Sequence, residues 1–388
     1  MPTDHLKVLV VAGARPNFMK VAPILRALEA AGHEGILVHT GQHYDATMSD
    51  TFFRELGIKN PDYHLGVGTA SHAVQTARIM EAFEPVLTKV HPQWLVVVGD
   101  VNSTMATTLV ASKLRTETHM HIAHVEAGLR SYDRDMPEEV NRVLTDQIAD
   151  ILYTTEREAA GNLAREGIAA ERVQFVGNVM IDSLLEHRAR AVAPAKTLAS
   201  AGADDAIARD AAGFGVVTLH RPSNVDSPDA LAEALDVLRA VATRLPLVWP
   251  VHPRARANIE RFGFASTLAS SRITMLAPQG YLEMVGLLAN ARLVLTDSGG
   301  IQEESTALSV PCLTMRENTE RPITIAEGTN TLVGRDRALA LACTDEILIS
   351  GGKRGRMPAL WDGHAADRIA AHLQGWLAAR SITMARAT

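Results

Sequence analysis

"LVLTDSGGIQEE", residues 293–304, runs from an apolar stretch (Leu293, Val294, Leu295) through Asp297 and Ser298 into two glycines, then opens a segment with Gln302, Glu303 and Glu304. Strand, glycine turn and helix start follow one another here, the repeating step of an α/β sheet. Free backbone N–H groups point outward at such a turn and suit a bound anion. The two carboxylates within one turn of it raise the question of which ligand needs both.

The same step recurs along the chain. Residues 7–12, 35–40, 94–99, 120–125, 151–154 and 173–176 read as buried strands in the first half, and 215–219, 246–251, 273–277, 292–296, 310–314 and 331–333 in the second. Continuous apolar strands separated by amphipathic segments argue for parallel sheets covered on both faces. One helix is legible in detail: Ser227 caps it, Pro228 takes its first turn, and Leu231, Leu235, Leu238 and Val241 form its stripe. The stretch 187–213, rich in Ala and charge, reads as a linker preceded by a helix. The expected division is therefore 1–186, a linker 187–213, 214–362, and a C-terminal helix and tail over 363–388 that packs back on the first domain, with a cleft between the halves.

Composition narrows the function. The 388 residues are 47% hydrophobic and 21% charged, enough for two cored domains. A net charge of -6 offers no general attraction to nucleic acid or to anionic membranes, so phosphate binding must be local. Cys312 and Cys343 are the only cysteines and lie in apolar surroundings, which supports neither a disulfide framework nor a zinc site. The apolar run at the N-terminus is broken by Arg15 and Pro16, and no stretch approaches a membrane span, so the chain reads as soluble and cytoplasmic.

Polar residues gather where strands end. Arg15 follows "VLVVAGA", Gln42 follows "ILVHTG", Asp100 follows "LVVVG" and Glu126 follows "IAHV"; His220, His252 and Ser298 hold the same place in the second half. Open α/β sheets bind ligands outside the carboxyl ends of their strands. Each residue alone has a plainer reading: Asp100 as a helix cap, Glu126 as a solvated loop acid, the histidines as structural, Arg15-Pro16 as a strand stop. The joint pattern favours a site. In "MPEEVNRVLTDQIAD" (136–150), Glu138, Asn141, Arg142, Thr145 and Ala149 share one helical face, and Val140, Val143, Leu144 and Ile148 the other. Either the polar face is solvated with a Glu138–Arg142 pair, or Arg142 holds a carboxylate aimed into the cleft. No GxGxxG follows the first strand, and neither a GxxxxGK[ST] nor a GxSxG motif is present. A dinucleotide cofactor, a P-loop and a serine hydrolase are thus not indicated.

"GARPNFMKVAPI", "HTGQHYD", "GDVNST", "HVEAGLRS", "MPEEVNR", "LHRPSNVD", "PVHPR", "DSGGIQEE" and "MRENTERP" occur in this order between residues 13 and 322. Together they resemble the non-hydrolysing UDP-N-acetylglucosamine 2-epimerases, and the resemblance covers nearly the whole chain. It implies an α/β fold of two Rossmann-like domains with parallel sheets around a central cleft (glycosyltransferase-B-like), usually in a homodimer. It also answers the opening question, since a nucleoside diphosphate needs a phosphate cradle and a ribose acceptor side by side. By this resemblance Ser298, Gly299 and Gly300 would hold the diphosphate and Glu304 the ribose hydroxyls. Arg15, Lys20 and Arg321 would meet phosphates or nearby polar groups, while Gln279 and Met284, the latter Phe in some relatives, would flank uracil.

The implied chemistry is elimination of UDP to 2-acetamidoglucal and re-addition after protonation of the other face of C2, with no cofactor and no metal. Asp100, Glu126 and Glu138 are the matching carboxylates, with Arg142 beside them and His220 at the leaving group. The product would serve cell-envelope polysaccharide synthesis. A 2-epimerase of a diacetamido-uronic acid nucleotide, a hydrolysing epimerase, a glycosyltransferase and a sugar-nucleotide sensor are the alternatives; intact carboxylates in separate motifs speak against the last two. Some bacterial relatives bind a second, activating UDP-N-acetylglucosamine. Gln42, Arg221 and His252 match that site, but Asp45 replaces its second glutamine, and no Lys or Arg lies between Lys59 and Arg78. Obligatory activation is therefore not expected.

Overall fold

A computed structural model describes residues 5–42 and 55–387, without the side chains of Arg15, Pro16 and 378–387. The chain divides into two compact units, one of Met1–Glu186 with Ala359–Thr388 and one of His187–Pro358.

In the first unit, β1 (Lys7–Ala12), β2 (Glu34–His39), β3 (Tyr63–His64), β4 (Trp94–Val98), β5 (His121–Val125), β6 (Ile151–Thr154) and β7 (Val173–Phe175) form one parallel sheet in the order β3-β2-β1-β4-β5-β6-β7. In the second, β8 (Gly215–Thr218), β9 (Leu247–Pro250), β10 (Ile273–Leu276), β11 (Leu293–Thr296), β12 (Cys312–Thr314) and β13 (Asn330–Leu332) form another in the order β10-β9-β8-β11-β12-β13. Both are doubly wound. The order reverses between β1 and β4 in one sheet and between β8 and β11 in the other, and such a reversal opens a crevice at the strands' carboxyl ends. Strands such as Trp94–Val98 are buried throughout, as parallel strands covered on both faces must be. The two-residue β3 was not anticipated, because it is too short to show a period.

The helix Pro228–Ala242 forms as its pattern demands: the Ser227 hydroxyl accepts from the Ala230 N–H at 3.2 Å, and Leu231, Leu235, Leu238 and Val241 are buried in the second core. The stretch 187–213 differs from its expected role as a linker. It belongs to the second unit, carries the helix Pro194–Ser200, and docks on the helix Tyr281–Asn290 through the Val192 N–H to Leu282 carbonyl bond of 3.1 Å. A Cβ on Gly286 would lie 1.8 Å from the Val192 oxygen, so only glycine admits this approach. The C-terminal segment lies in the first unit, where Asp182 accepts from the Ala365 and Ala366 N–H groups (3.2 and 2.8 Å) and Trp361 donates to the Thr155 carbonyl (3.0 Å).

Candidate active site

At the carboxyl edge of the first sheet two carboxylates are held by buried cations. Asp100 follows β4 and accepts from Arg142 Nε at 3.0 Å, while Asn141 donates to its backbone carbonyl at 2.9 Å. It does not cap the next helix, Asn102–Lys113, whose cap is Val101. Glu126 follows β5 and meets the Lys20 ammonium at 2.5 Å, with side chains 6% and 2% exposed. Lys20, expected toward phosphate or nearby polar groups, thus lies on a carboxylate. Glu126 also stands at φ 72, a left-handed conformation costing a non-glycine residue about 1–2 kcal/mol. Strain of this kind persists where surrounding bonds over-determine it, here including those from the Glu126 and Ala127 N–H groups to the Tyr153 carbonyl (3.0 Å each).

The helix Pro137–Ile148 is amphipathic in the opposite sense to a solvated polar face. Glu139, Asn141, Arg142, Thr145 and Asp146 are buried, whereas Val140 and Leu144 are 37% and 41% exposed. Arg142 pairs with Asp100 and Glu139, not with Glu138 as the i,i+4 spacing allowed. Glu139 is a structural brace whose carboxylate accepts from Ser131 N–H (3.0 Å), Ser131 Oγ (3.1 Å) and Tyr132 N–H (2.9 Å). Glu138, half-exposed in the first helical turn, remains available to a ligand. Gln42 is buried, its carboxamide oxygen accepting from Ser103 N–H (3.1 Å) and Oγ (2.7 Å). The side chain of Arg15 and residue Asp45 lie outside the described residues.

The second unit's edge is organised by Asp297, which sequence reasoning passed over although it directly precedes Ser298. Fully buried, it accepts from the His220 N–H (3.1 and 3.0 Å), the Arg221 N–H (2.9 Å) and Asn224 Nδ2 (3.1 Å), and it meets His220 Nδ1 at 3.0 Å. Burial works to raise the Asp297 carboxyl, but His220 and the backbone donors hold it below its ordinary value. His220 is thereby fixed through Nδ1, which leaves Nε2 for another partner. His252 caps the helix Pro253–Arg261 by accepting from Arg254 N–H at 3.2 Å, and its ring lies 5.7 Å from that of His220.

The helix Gly299–Ala307 begins at Ser298 without a side-chain cap. The Ser298 N–H, expected toward a diphosphate, is taken by Thr296 Oγ1 at 3.0 Å, and the first-turn N–H groups after it are the ones a helix start leaves without an intrahelical partner. A Cβ on Gly299 would lie 2.7 Å from Glu320 Oε1. Around this turn Arg321 pairs with Glu303 (3.1 Å), and Arg221 and Arg316 pair with Glu320 (3.3 and 2.8 Å), which brings three guanidinium groups to the helix start. Glu304 is buried, and burial together with the neighbouring Glu303 charge pushes its carboxyl up to about 8, against a hydrogen bond from Tyr281. Gln279 donates to the Ala277 carbonyl at 2.8 Å, and Met284 is half-buried in the first turn of Tyr281–Asn290.

Comparison with known proteins gives one family. Residues 26–374 match the family model described as UDP-N-acetylglucosamine 2-epimerase. The UDP-N-acetylglucosamine 2-epimerase of Methanococcus maripaludis is 39% identical over 89% of this chain and 92% of its own. The UDP-2,3-diacetamido-2,3-dideoxy-D-glucuronate 2-epimerase of Pseudomonas aeruginosa is 40% identical over 95% and 99%. The solved UDP-GlcNAc 2-epimerase of Methanocaldococcus jannaschii, in complex with UDP-GlcNAc and UDP, superposes with a TM-score of 0.84 at 37% identity, covering 95% of this chain and 99% of that one.

Proposed function

The chain belongs to the UDP-N-acetylglucosamine 2-epimerase family, and we propose that within it the protein interconverts UDP-N-acetylglucosamine and UDP-N-acetylmannosamine by eliminating and re-adding UDP. The observation that carries this reading is the pairing of Asp100 with Arg142 and of Glu126 with Lys20 at one sheet edge. Two carboxylates fixed in place at one edge supply the acid and base that such a reaction requires.

In the forward direction a carboxylate takes the C2 proton, the C1–O bond to UDP breaks, and its electron pair leaves with the diphosphate, giving 2-acetamidoglucal. Return of a proton to the opposite face of C2 and attack of UDP oxygen on C1 complete the inversion. Asp100, Glu126 and Glu138 serve as acid and base. The first-turn N–H groups after Ser298, with Arg321 and His220, take up charge developing on the departing diphosphate. Glu304 accepts from the ribose hydroxyls, and Gln279 and Met284 flank uracil. Arg15 joins the phosphate contacts, and the protein acts as a homodimer. Gln42, with its carboxamide oxygen bound by Ser103, and Arg221, on Glu320, are engaged in the protein's own bonds, which supports a reaction that runs without an activating second nucleotide sugar.

A second reading rests on the Pseudomonas aeruginosa relative: the same chemistry on a UDP-linked diacetamido-uronic acid. Incubating the protein in deuterated water with each nucleotide sugar separates the two. Deuterium at C2 of a UDP-linked manno product from UDP-N-acetylglucosamine is the expected result. Turnover of the uronate alone establishes the second reading, and release of free N-acetylmannosamine refutes re-addition.

A further inference from the structure

Behind the carboxylates lies a polar cluster of His124, Arg130, Asp146 and Glu166, the first three of them buried. His124 of β5, fully buried, directs Nδ1 to Asp146 Oδ1 at 2.6 Å and Nε2 to the Gly99 carbonyl at 2.8 Å. Both partners carry acceptor oxygens, so the ring is pinned through both nitrogens. Asp146 also accepts from the Gly128 N–H (3.1 Å) and from Arg130 (2.7 Å). Arg130 forks onto Glu166 through bonds of 2.7 and 2.6 Å. Arg130, the Gly128 N–H and His124 together occupy the Asp146 carboxylate, which is how it tolerates burial.

The cluster is aimed at the site by one bond. Gly99 directly precedes Asp100 and stands at φ 65, so the carboxylate rides on the most freely rotating residue of its turn. Neighbouring groups are held by neutral donors: the Val98 carbonyl by Thr104 Oγ1 (2.9 Å) and Asn17 Nδ2 (3.2 Å), the Asp100 carbonyl by Asn141. The Gly99 carbonyl is held by His124 Nε2, and the Gly99 N–H returns to the Val125 carbonyl at 3.0 Å. The same turn abuts the other pair, since a Cβ on Gly99 would lie 3.1 Å from Lys20 Nζ and 3.9 Å from Glu126 Oε1. His124 thus ties the end of β4 to the end of β5, two residues before Glu126.

We propose that His124 is a positioning residue for the reaction: anchored on Asp146, it clamps the Gly99 peptide and so fixes the spacing of Asp100 from the Lys20–Glu126 pair. It touches no substrate and acts through the two carboxylates. The proposal rests on the epimerase reading of the preceding subsection.

Two substitutions split the roles of the ring nitrogens. His124→Asn keeps a donor near Asp146 and withdraws from Gly99; His124→Gln reaches the Gly99 carbonyl and gives up the donor to Asp146. For His124→Asn the expected result is a fall in kcat on the order of 10²-fold, UDP affinity within about twofold of the parent, and faster amide exchange over residues 99–102. His124→Gln restores at least about tenfold of that kcat and the slow exchange. Parental kcat and exchange in His124→Asn overturn the proposal, as does equal damage to both variants. Should His124→Asn not fold, His124→Gln against the parent decides: kcat within about tenfold with parental exchange supports the clamp, and a larger loss overturns it. If the parent protein converts no nucleotide sugar, the epimerase reading falls while the exchange comparison still decides this one.

Discussion

Replacing Lys20 by Met tests the ion pair on which the Glu126 assignment depends. Methionine keeps most of the aliphatic stem, so little cavity opens and the change is chiefly one of charge. With Lys20 and Glu126 side chains 6% and 2% exposed and their charged atoms 2.5 Å apart, the variant strips a buried carboxyl of its ammonium. Truncating one partner of such a pair costs about 3–5 kcal/mol. At roughly 2–4 °C per kcal/mol, the first unit's calorimetric transition drops by about 6–20 °C. Adding Glu126→Gln removes the buried charge and recovers much of the loss. A Lys20→Met transition within about 2 °C of the parent, or a deficit that Glu126→Gln does not reduce, would refute the reasoning.

Four further expectations follow from the same geometry. Asp100→Asn and Glu138→Gln each lower turnover by about 10²–10⁴-fold with UDP affinity retained; folded variants with near-parental rates would remove them from the chemistry. Glu304→Ala weakens UDP by about 1.5–3 kcal/mol in calorimetry above pH 8, where the parent carboxyl is ionised. Since ionised Glu304 is the better ribose acceptor and its carboxyl sits at about 8, UDP binds more tightly to the parent as pH rises from 7 toward 8.5, and the variant lacks this trend. His39, lowered to about 4 by burial and then by His64, contributes stability that is complete above about 6.5 and lost as pH falls toward 4, on the order of 3 kcal/mol by denaturant titration. His39→Phe flattens that slope. UDP-N-acetylmannosamine alone is converted without a lag in a progress curve; a lag abolished by traces of UDP-N-acetylglucosamine would contradict this.

The strands were legible because parallel strands covered on both faces are continuously apolar, and each of the twelve stretches read from the sequence overlaps one in the structure. The helix Pro137–Ile148 was legible as a helix and not as to which face turns inward. A polar stripe reads as solvated unless its partners are known, and those of Arg142 and Asn141 include Asp100, far away in the chain. Asp100 taken alone read better as a cap for the same reason, since its carboxylate is committed to Arg142. His124 sat in a quoted motif without notice, because a histidine inside an apolar strand shows its role only once Asp146 and Gly99 are beside it. Positions set by chain direction were thus open to reading, and those set by long-range polar partners were not.

The first unit is finished only when residues 361–366 have been made. Asp182 receives its bonds from Ala365 and Ala366, and Thr155 its bond from Trp361. At a synthesis rate of about 5–20 residues per second, roughly 10–40 s pass between the emergence of Asp182 and that of its partners. During this interval the ribosome produces the entire second unit. The nascent first unit waits with the seat of its last helix uncovered, and a chain stopped in that window presents this seat to chaperones and proteases as the mark of an unfinished protein.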